Sequence, residues 1–197
     1  MSLVIDIKDL SRSMILKKFG IPDIIWASPV CSVWSKMGWF SHWSTNQYKK
    51  NKTFLPVTAL AKESIEMIRK TIEIFSWFPG SIFYMENPEG MLYRHPVINY
   101  FATYNLTSQL RRLKITYCPY GFTIQKPTHI WTNNLSWSPK KNCKRSAPCH
   151  INSPYGTTKG MDSISKSIER SIIPEKLCLE VLSCGISKNE KFDLILE

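Results

Sequence analysis

Two apolar runs flank a long amphipathic segment, and this pattern constrains the fold more than any other feature of the chain. Residues 23–27 and "IFYMENPEG" each have the character of a buried strand that ends at a proline-containing turn. Between them, "PVTALAKESIEMIRKTIEIF" places apolar residues on one helical face, at positions 61, 65, 68, 72 and 75. A strand, a helix and a second strand in this order favour a parallel pair with a right-handed crossover. The sequence therefore predicts an α/β fold.

Cys31 and Glu86 lie at the ends of the two predicted strands. The stretch "IIWASPVCSVWS" places Cys31 on a loop directly after the first strand, and Glu86 closes the second. Because ligands gather at the carboxyl ends of parallel strands, we expect both side chains to face one crevice. A thiolate can add to an electron-poor ring carbon when a neighbouring acid supports the ring nitrogen. The alternatives are that Cys31 is a small buried hydrophobe and that Glu86 belongs to an ordinary turn.

Other elements are predicted from shorter patterns. Apolar alternation predicts strands at residues 3–8, 113–118 and 129–133, and "PEKLCLEVLSCG" predicts a last helix. Residues 36–55 and 133–162 lack a clear period and are predicted to be loops.

The chain carries a strong positive charge. Its 197 residues include 26 lysines and arginines against 15 acidic residues, which gives a net charge of +11. This balance indicates a polyanionic partner, most simply nucleic acid, although a solvated basic surface is the alternative. Aromatic residues lie among the basic ones, a mixture that suits phosphate contacts with stacking nearby. The predicted DNA-binding residues are Lys126, Lys140, Lys141, Lys144 and Arg145.

The amino terminus contains acids and lacks the apolar run of a signal peptide. No stretch approaches the ~20 apolar residues of a membrane helix, so no membrane partner is expected. The six cysteines are then better interpreted as thiols or metal ligands than as a disulfide framework. We expect a reducing compartment, the cytoplasm of a bacterium or of a virus-infected cell.

The segment "NCKRSAPCH" brings Cys143, Cys149 and His150 close together, and Cys118 could complete a four-ligand zinc site. The spacing C-x5-C-H is unlike that of the common zinc fingers. Unligated thiols are therefore the favoured interpretation, and zinc is the alternative.

Several ordered motifs resemble those of DNA cytosine-5 methyltransferases. "ASPVCSVWS" resembles the Pro-Cys motif of that family, and "YMENPEG" resembles its Glu-Asn motif. The chain is most similar to the compact bacteriophage-type members, through "PDIIWASP-C", "ENPEGML", "ITYCPYG", "KPTHIWTN", "CH…SPYG" and "RSIIPEKLCLE". The resemblance covers about residues 1–184 and implies a Rossmann-like class I methyltransferase core, truncated at its first strands, with a loop-rich basic C-terminal segment.

The resemblance implies a role for each matching residue. Cys31 would attack C6 of a flipped cytosine, Glu86 would hold N3 and the exocyclic amine, and Asn87 would brace the cysteine loop. Arg112 and Lys114, in "RRLK", would approach the base carbonyl and the nucleophile. Flipping is required because C5 and C6 cannot be reached from both faces inside a base stack.

The aromatic segment 34–48 matches the family's catalytic loop, which closes over DNA. Some of its rings would fill or flank the gap that the flipped base leaves, with ordinary core packing as the alternative. The rings concerned are those of Trp34, Trp39, Phe40, Trp43 and Tyr48.

The sequence departs from the family pattern in three places. Val30 replaces the second proline of Pro-Pro-Cys, and Lys114 stands where many members have arginine. The third departure is large, because no glycine-rich turn for S-adenosylmethionine precedes Gly20. By resemblance, Asp6, Asp9 and Pro29 would lie at the cofactor. We therefore expect weak or no cofactor binding by the isolated chain, and a second chain or self-association to supply the glycine-rich half.

The resemblance also implies a division of the chain into a partial catalytic core at 1–118, a basic DNA-recognition segment at 119–162 and a returning helix at 163–197. The implied function is that of an S-adenosylmethionine-dependent DNA (cytosine-5) methyltransferase, or of its target-base-binding subunit, acting on double-stranded DNA. The alternatives are a catalytically inactive DNA-binding homologue that interferes with methylation or restriction, and a decayed gene product.

Overall fold

The computed structural model describes residues 3–36, 38–44, 54–144, 146–151, 169 and 171–185. Tyr48, Arg145 and the tail at 186–197 lie outside the described residues, as does most of the second half of the predicted loop at 133–162. The described helices are α1 (Arg12–Phe19), α2 (Trp39–His42), α3 (Ala59–Ser76), α4 (Tyr100–Thr103) and α5 (Glu175–Gly185). The strands are β1 (Ile24–Ala27), β2 (Ile82–Pro88), β3 (Arg111–Thr116) and β4 (Pro127–Thr132).

The fold is mixed α/β with a four-stranded sheet in the order β1-β2-β4-β3. Strands β1 and β2 are parallel, with Ile24 opposite Ile82 and Ala27 opposite Met85, and α3 connects them. The predicted parallel strand–helix–strand unit is therefore confirmed. Strand β4 runs antiparallel to β2, so the sheet is mixed rather than wholly parallel.

Helix α3 forms where the apolar period predicts it. It begins after Thr58, whose side chain accepts a hydrogen bond from the amide of Ala61, as an N-cap does. The predicted face packs into the core through Ala61, Ile68, Ile72 and Phe75, and Ile65 packs against the same cluster while partly buried. The helix thus covers the sheet with the stripe that the sequence indicates.

The predicted strand at 3–8 is wrong. Residues Ile7–Asp9 form a short 3-10 helix instead, and the carboxylate of Asp6 accepts a hydrogen bond from the amide of Lys8 at 2.9 Å. An aspartate that bonds a backbone amide two residues ahead offers the chain a local alternative to a sheet ladder. The alternation of apolar residues in this segment was therefore misleading.

The aromatic segment after Cys31 contributes to the core. Trp34, Trp39 and Trp43 are at most 4% exposed and contact one another, with ring centroids 4.7 Å apart for the first and third. His95 packs against the rings of Trp34 and Trp43 and accepts a hydrogen bond from the amide of Val97. The core-packing alternative therefore holds for these three tryptophans, whereas the Phe40 ring is exposed.

Contacts divide the chain into two units, Met1–Ile115 with Lys126–Leu135, and Thr116–Gln125 with Ser136–Glu197. In the second unit, the Glu180 carboxylate accepts hydrogen bonds from Tyr120 at 3.0 Å and from the indole of Trp137 at 2.9 Å. Throughout the described part of the chain, each helix is too short or too polar to cross a lipid bilayer.

Candidate active site

The cysteine loop follows strand β1 at one end of the sheet. The strand ends at Ala27, and Cys31 follows on a loop with its side chain half-buried. The carbonyl of Cys31 accepts hydrogen bonds from the amides of Trp34 and Ser35, both at 3.0 Å. These bonds close a tight turn directly after Cys31 and limit the positions that its side chain can take.

Glu86 lies in the neighbouring strand, where it is almost fully buried. Glu86 is 5% exposed and lies opposite Ile130 in the pairing of β2 with β4. The Nζ atom of Lys126 lies 3.9 Å from its Oε1 atom. The structure therefore places Lys126, predicted from sequence as a DNA contact, beside the candidate catalytic carboxylate, and only 6% of its side chain is exposed.

Asn87 connects the two strand ends. Its side chain is fully buried, and its Nδ2 atom donates a hydrogen bond to the carbonyl of Pro29 at 3.2 Å. Pro29 lies two residues before Cys31, so this bond holds the cysteine loop against the strand that carries Glu86. A buried hydrogen bond between a loop and a strand contributes about 1 kcal/mol and, more importantly, fixes their relative position.

A second contact joins the cysteine loop to the loop that follows β2. The amide of Met91 donates a hydrogen bond to the carbonyl of Trp34 at 2.8 Å, and Ser35 and Gly90 form an antiparallel bridge. At Gly90 a Cβ atom would overlap the Trp34 carbonyl oxygen. The close approach of the two loops therefore requires glycine at this position.

Arg112 and Lys114 project from β3 as exposed side chains. The ammonium of Lys114 forms an ion pair with Glu89 at 2.7 Å, and Lys36 contacts the other oxygen of Glu89 at 3.4 Å. Burial alone would raise the pKa of Glu89, but the hydrogen bond and charge of Lys114, together with Lys36, lower it. The guanidinium of Arg112 lies over the ring of Tyr93, 4.5 Å from its centroid.

His129 lies in β4, beside the strand that carries Glu86 and Asn87. It pairs with Asn87 across β2 and β4, is 6% exposed, and packs edge-on against Tyr93. Burial and, to a smaller extent, the charge of Arg112 lower the pKa of His129 from 6.5 to about 4. The strand pattern in the sequence could have placed this imidazole beside Asn87 only if the antiparallel register of β2 with β4 had been known.

Two of the three predicted cofactor residues line one cavity. A cavity of about 430 Å³ lies beside the start of the cysteine loop and includes both Asp6 and Pro29. Asp9 is exposed and is not among the residues that line it. The lining consists of Asp6, Ile7, Trp26, Ala27, Ser28, Pro29, Glu63, Met67 and Thr71.

The basic loop of the second unit is exposed at the predicted positions Lys140, Lys141 and Lys144. Lys140 also has structural contacts, since its ammonium donates to the carbonyl of Pro119 at 3.3 Å and lies over the ring of Tyr120. Lys141 and Lys144 are therefore the better probes of a binding surface among the described residues.

The four predicted metal ligands meet in the second unit. One ligand atom each from Cys118, Cys143, Cys149 and His150 lies within 4.8 Å of the other three. Burial raises the pKa of Cys118 to about 12. Burial would also raise the pKa of Cys143, but hydrogen bonds from Cys118 and neighbouring groups outweigh it and lower that pKa.

The solved structures that are similar to the chain include two described as methyltransferases or named DNMT2, whereas no protein-family model and no curated protein matches the chain. The first is a prophage-encoded E. coli protein described as a DNA modification methyltransferase, with 18% identity, a TM-score of 0.41, and coverage of 64% of this chain and 31% of that one. The second is a triple mutant of Spodoptera frugiperda DNMT2, with 18% identity, a TM-score of 0.39, and coverage of 83% and 45%. This chain spans less than half of either protein, and at these scores the similarities do not enter the argument for function.

Proposed function

We propose that this chain is the target-base half of a DNA (cytosine-5) methyltransferase. The observation that carries the proposal is the buried hydrogen bond from Asn87 to the carbonyl of Pro29, which ties the Cys31 loop to the strand of Glu86. A nucleophile and an acid held on adjacent parallel strand ends match the roles that the sequence motifs imply. A solvated turn would not need this bond or the glycine at position 90.

The chemistry that these residues support is nucleophilic addition to cytosine. The thiolate of Cys31 would form a bond to C6, while the electron pair of the C5–C6 double bond moves toward N3, which takes a proton from Glu86. C5 then carries nucleophilic character. When bound, S-adenosylmethionine would supply an electrophilic methyl group to C5. Loss of the C5 proton to solvent, expulsion of the Cys31 thiolate and return of the N3 proton to the Glu86 carboxylate would restore the aromatic ring and the acid.

Lys126 affects the protonation of Glu86 in this scheme. An ammonium 3.9 Å away favours the ionised carboxylate, whereas donation to N3 requires the acid. Transfer of the proton to the base would leave a carboxylate that Lys126 stabilises. The buried lysine would therefore assist the step after the proton has moved, at the point where negative charge appears on Glu86.

We further propose that the basic residues bind the DNA from which the cytosine is flipped. Among the predicted DNA-binding residues, Lys141 and Lys144 are exposed in the second unit. Phosphate contacts of this kind give affinity without sequence preference. Flipping is then supported by the pocket around Glu86, which would hydrogen-bond the Watson–Crick edge of the extruded base.

Asp6 and Pro29 would hold part of S-adenosylmethionine, and the observation in favour is the cavity that both line next to the cysteine loop. Its volume of about 430 Å³ is within the range of small-molecule sites. We propose that a second chain carries the glycine-rich strand that completes this pocket. In support, β1 ends the sheet of the described residues, and an apolar cavity of about 540 Å³ lies beside it, lined by Leu3, Ile5, Ile24 and other apolar residues.

The experiment that tests this function is methyl transfer to duplex DNA. The chain, alone and together with a second chain that carries a glycine-rich strand, is incubated with S-adenosylmethionine carrying a labelled methyl group. The expected product is 5-methylcytosine in the wild type and none with Cys31→Ser. Labelled N4-methylcytosine or N6-methyladenine, or equal labelling by Cys31→Ser, would contradict the proposal. DNA binding without any labelling would favour the inactive homologue.

A further inference from the structure

We propose that Cys118, Cys143, Cys149 and His150 form a tetrahedral zinc site that holds the second unit together. The four side chains come from three separate places in the sequence, yet their ligand atoms all lie within 4.8 Å of one another. Three sulfurs and one imidazole nitrogen are a ligand set that structural zinc takes, and such sites contribute directly to folding.

Two nitrogen–sulfur distances match the edges of a zinc tetrahedron. With zinc–sulfur bonds of about 2.3 Å and a zinc–nitrogen bond of about 2.0 Å, a sulfur and a nitrogen ligand lie about 3.6 Å apart. The Nδ1 atom of His150 lies 3.6 Å from the sulfur of Cys143 and 3.5 Å from that of Cys149. One nitrogen is thus at the edge distance from two sulfurs at once, as in a filled site.

Neighbouring groups orient the ligands as an outer shell does. The Nε2 atom of Gln125 lies 3.3 Å from the sulfur of Cys143, and the hydroxyl of Thr116 lies 3.7 Å from it. The amide of Cys143 in turn donates to Thr116 at 3.2 Å. Donors aimed at a sulfur stabilise a thiolate, the form that binds metal, and outer-shell bonds of this kind position metal ligands.

The backbone brings the remaining ligands to the same point. Cys118 begins the 3-10 helix Cys118–Tyr120, which ends at Gly121 in the left-handed region, where φ is 89°. His150 is fixed by the next residue, because the amide of Ile151 donates to the carbonyl of Thr123 at 2.8 Å. Two short segments and the Cys143 loop therefore converge on one point.

A metal at this position has a structural consequence. The described core of the second unit includes the buried residues Tyr117, Ile124 and Leu177. Zinc would close the loops between Cys118 and Cys149 and so fix the exposed basic positions at Lys141 and Lys144 relative to the rest of this unit. The site is independent of the cytosine chemistry, because none of its ligands has a role there.

Metal analysis of the whole chain, purified under reducing conditions, tests the proposal. We expect one equivalent of zinc per chain and no stoichiometric iron. Cys149→Ser is the sharpest variant, because Cys149 is exposed and its replacement disturbs no packing. It should lose the zinc and lower the thermal unfolding midpoint. The matched control is Cys184→Ser, an exposed cysteine of α5 in the same unit, which should keep both.

A second measurement covers the case in which Cys149→Ser does not fold. Cobalt added to metal-free wild-type chain should produce the visible absorption of tetrahedral cobalt with sulfur charge-transfer bands, and zinc should displace it. The proposal is overturned if the folded wild type contains no stoichiometric zinc and gives no such spectrum. It is also overturned if Cys149→Ser retains zinc. A disulfide between Cys118 and Cys143, found by mass spectrometry of protein purified under reducing conditions, would overturn it as well.

Discussion

The Nζ atom of Lys126 lies 3.9 Å from Oε1 of Glu86, and each side chain is only 6% exposed. Removing one member of an ion pair this deeply buried lowers the stability of the folded protein, because the remaining charge stays shielded from water without its partner. We expect Lys126→Met to lower the free energy of unfolding by about 3 kcal/mol or more. The double variant Lys126→Met/Glu86→Gln should lose less than the sum of the two single variants, as a double-mutant cycle in urea would report.

The surface pair of Lys36 and Glu89 is the control for this prediction. The side chain of Lys36 is 71% exposed, so Lys36→Met should cost no more than about 1 kcal/mol. Equal losses for Lys36→Met and Lys126→Met would contradict the view that Lys126 is a buried partner of Glu86.

Gly90→Ala should separate the cysteine loop from the Glu86 strand. A Cβ atom at this position would overlap the Trp34 carbonyl, so one backbone must move. We expect a loss of cytosine chemistry that exceeds the loss of stability, since a displacement of about 1 Å can cost 100-fold in rate. Gly80→Ala is the matched control, because nothing lies within 4 Å of a Cβ there. Unchanged activity in folded Gly90→Ala would show that the contact of the two loops is not needed.

Acid should destabilise the protein through buried histidines. Burial lowers the pKa of His95 from 6.5 to about 4, so below pH 6.5 the unfolded chain binds a proton that the folded chain does not. Stability therefore falls as the pH drops from about 6.5 towards 4, by on the order of 3 kcal/mol for this residue. Urea unfolding at several pH values should show this slope, and His95→Asn, which can keep the cap, should reduce it. An NMR titration of the His95 ring with a midpoint near 6.5 would refute the prediction.

Charge reversal in the basic loop should weaken DNA binding for all sequences alike. Lys141→Glu and Lys144→Glu each remove one phosphate contact, which lowers the slope of log affinity against log salt by about 0.9. Lys17→Glu on exposed α1 controls for the change in net charge. Fluorescence anisotropy over a salt series measures both quantities. If the two loop variants bind DNA as tightly as the control variant does, this loop is only a solvated surface.

The strong periodicities of the sequence translated directly into structure. Helix α3 has its predicted face because a long amphipathic pattern has few alternative solutions, and the parallel pairing of β1 with β2 follows from the crossover that this helix makes. The strand predicted at 3–8 is wrong because a local hydrogen bond from the Lys8 amide to the Asp6 carboxylate outweighs weak alternation over a few residues. Pattern alone does not distinguish a capped turn from a short strand.

The candidate site was predictable in its motifs but not in its neighbours. Cys31, Glu86 and Asn87 follow from strand ends and from the resemblance, whereas the positions of Lys126 and His129 depend on the antiparallel register of β2 with β4. A lysine counted as a DNA contact by its charge is instead buried, because β4 places it beside a carboxylate. Register is set by tertiary packing and cannot be read from composition.

The proposed addition of Cys31 to cytosine is tested most directly by exchange of the C5 hydrogen without any methyl donor. Reversible addition at C6 makes C5 basic, so tritium at C5 is released to water by steps that need only Cys31 and Glu86. The substrate is duplex DNA with tritium at C5 of a mismatched cytosine, which lowers the energy of flipping. We predict tritium release by the wild-type chain, slower release by Glu86→Gln and none by Cys31→Ser. Release no faster with the folded wild type than with Cys31→Ser would contradict the assignment of Cys31 as a nucleophile.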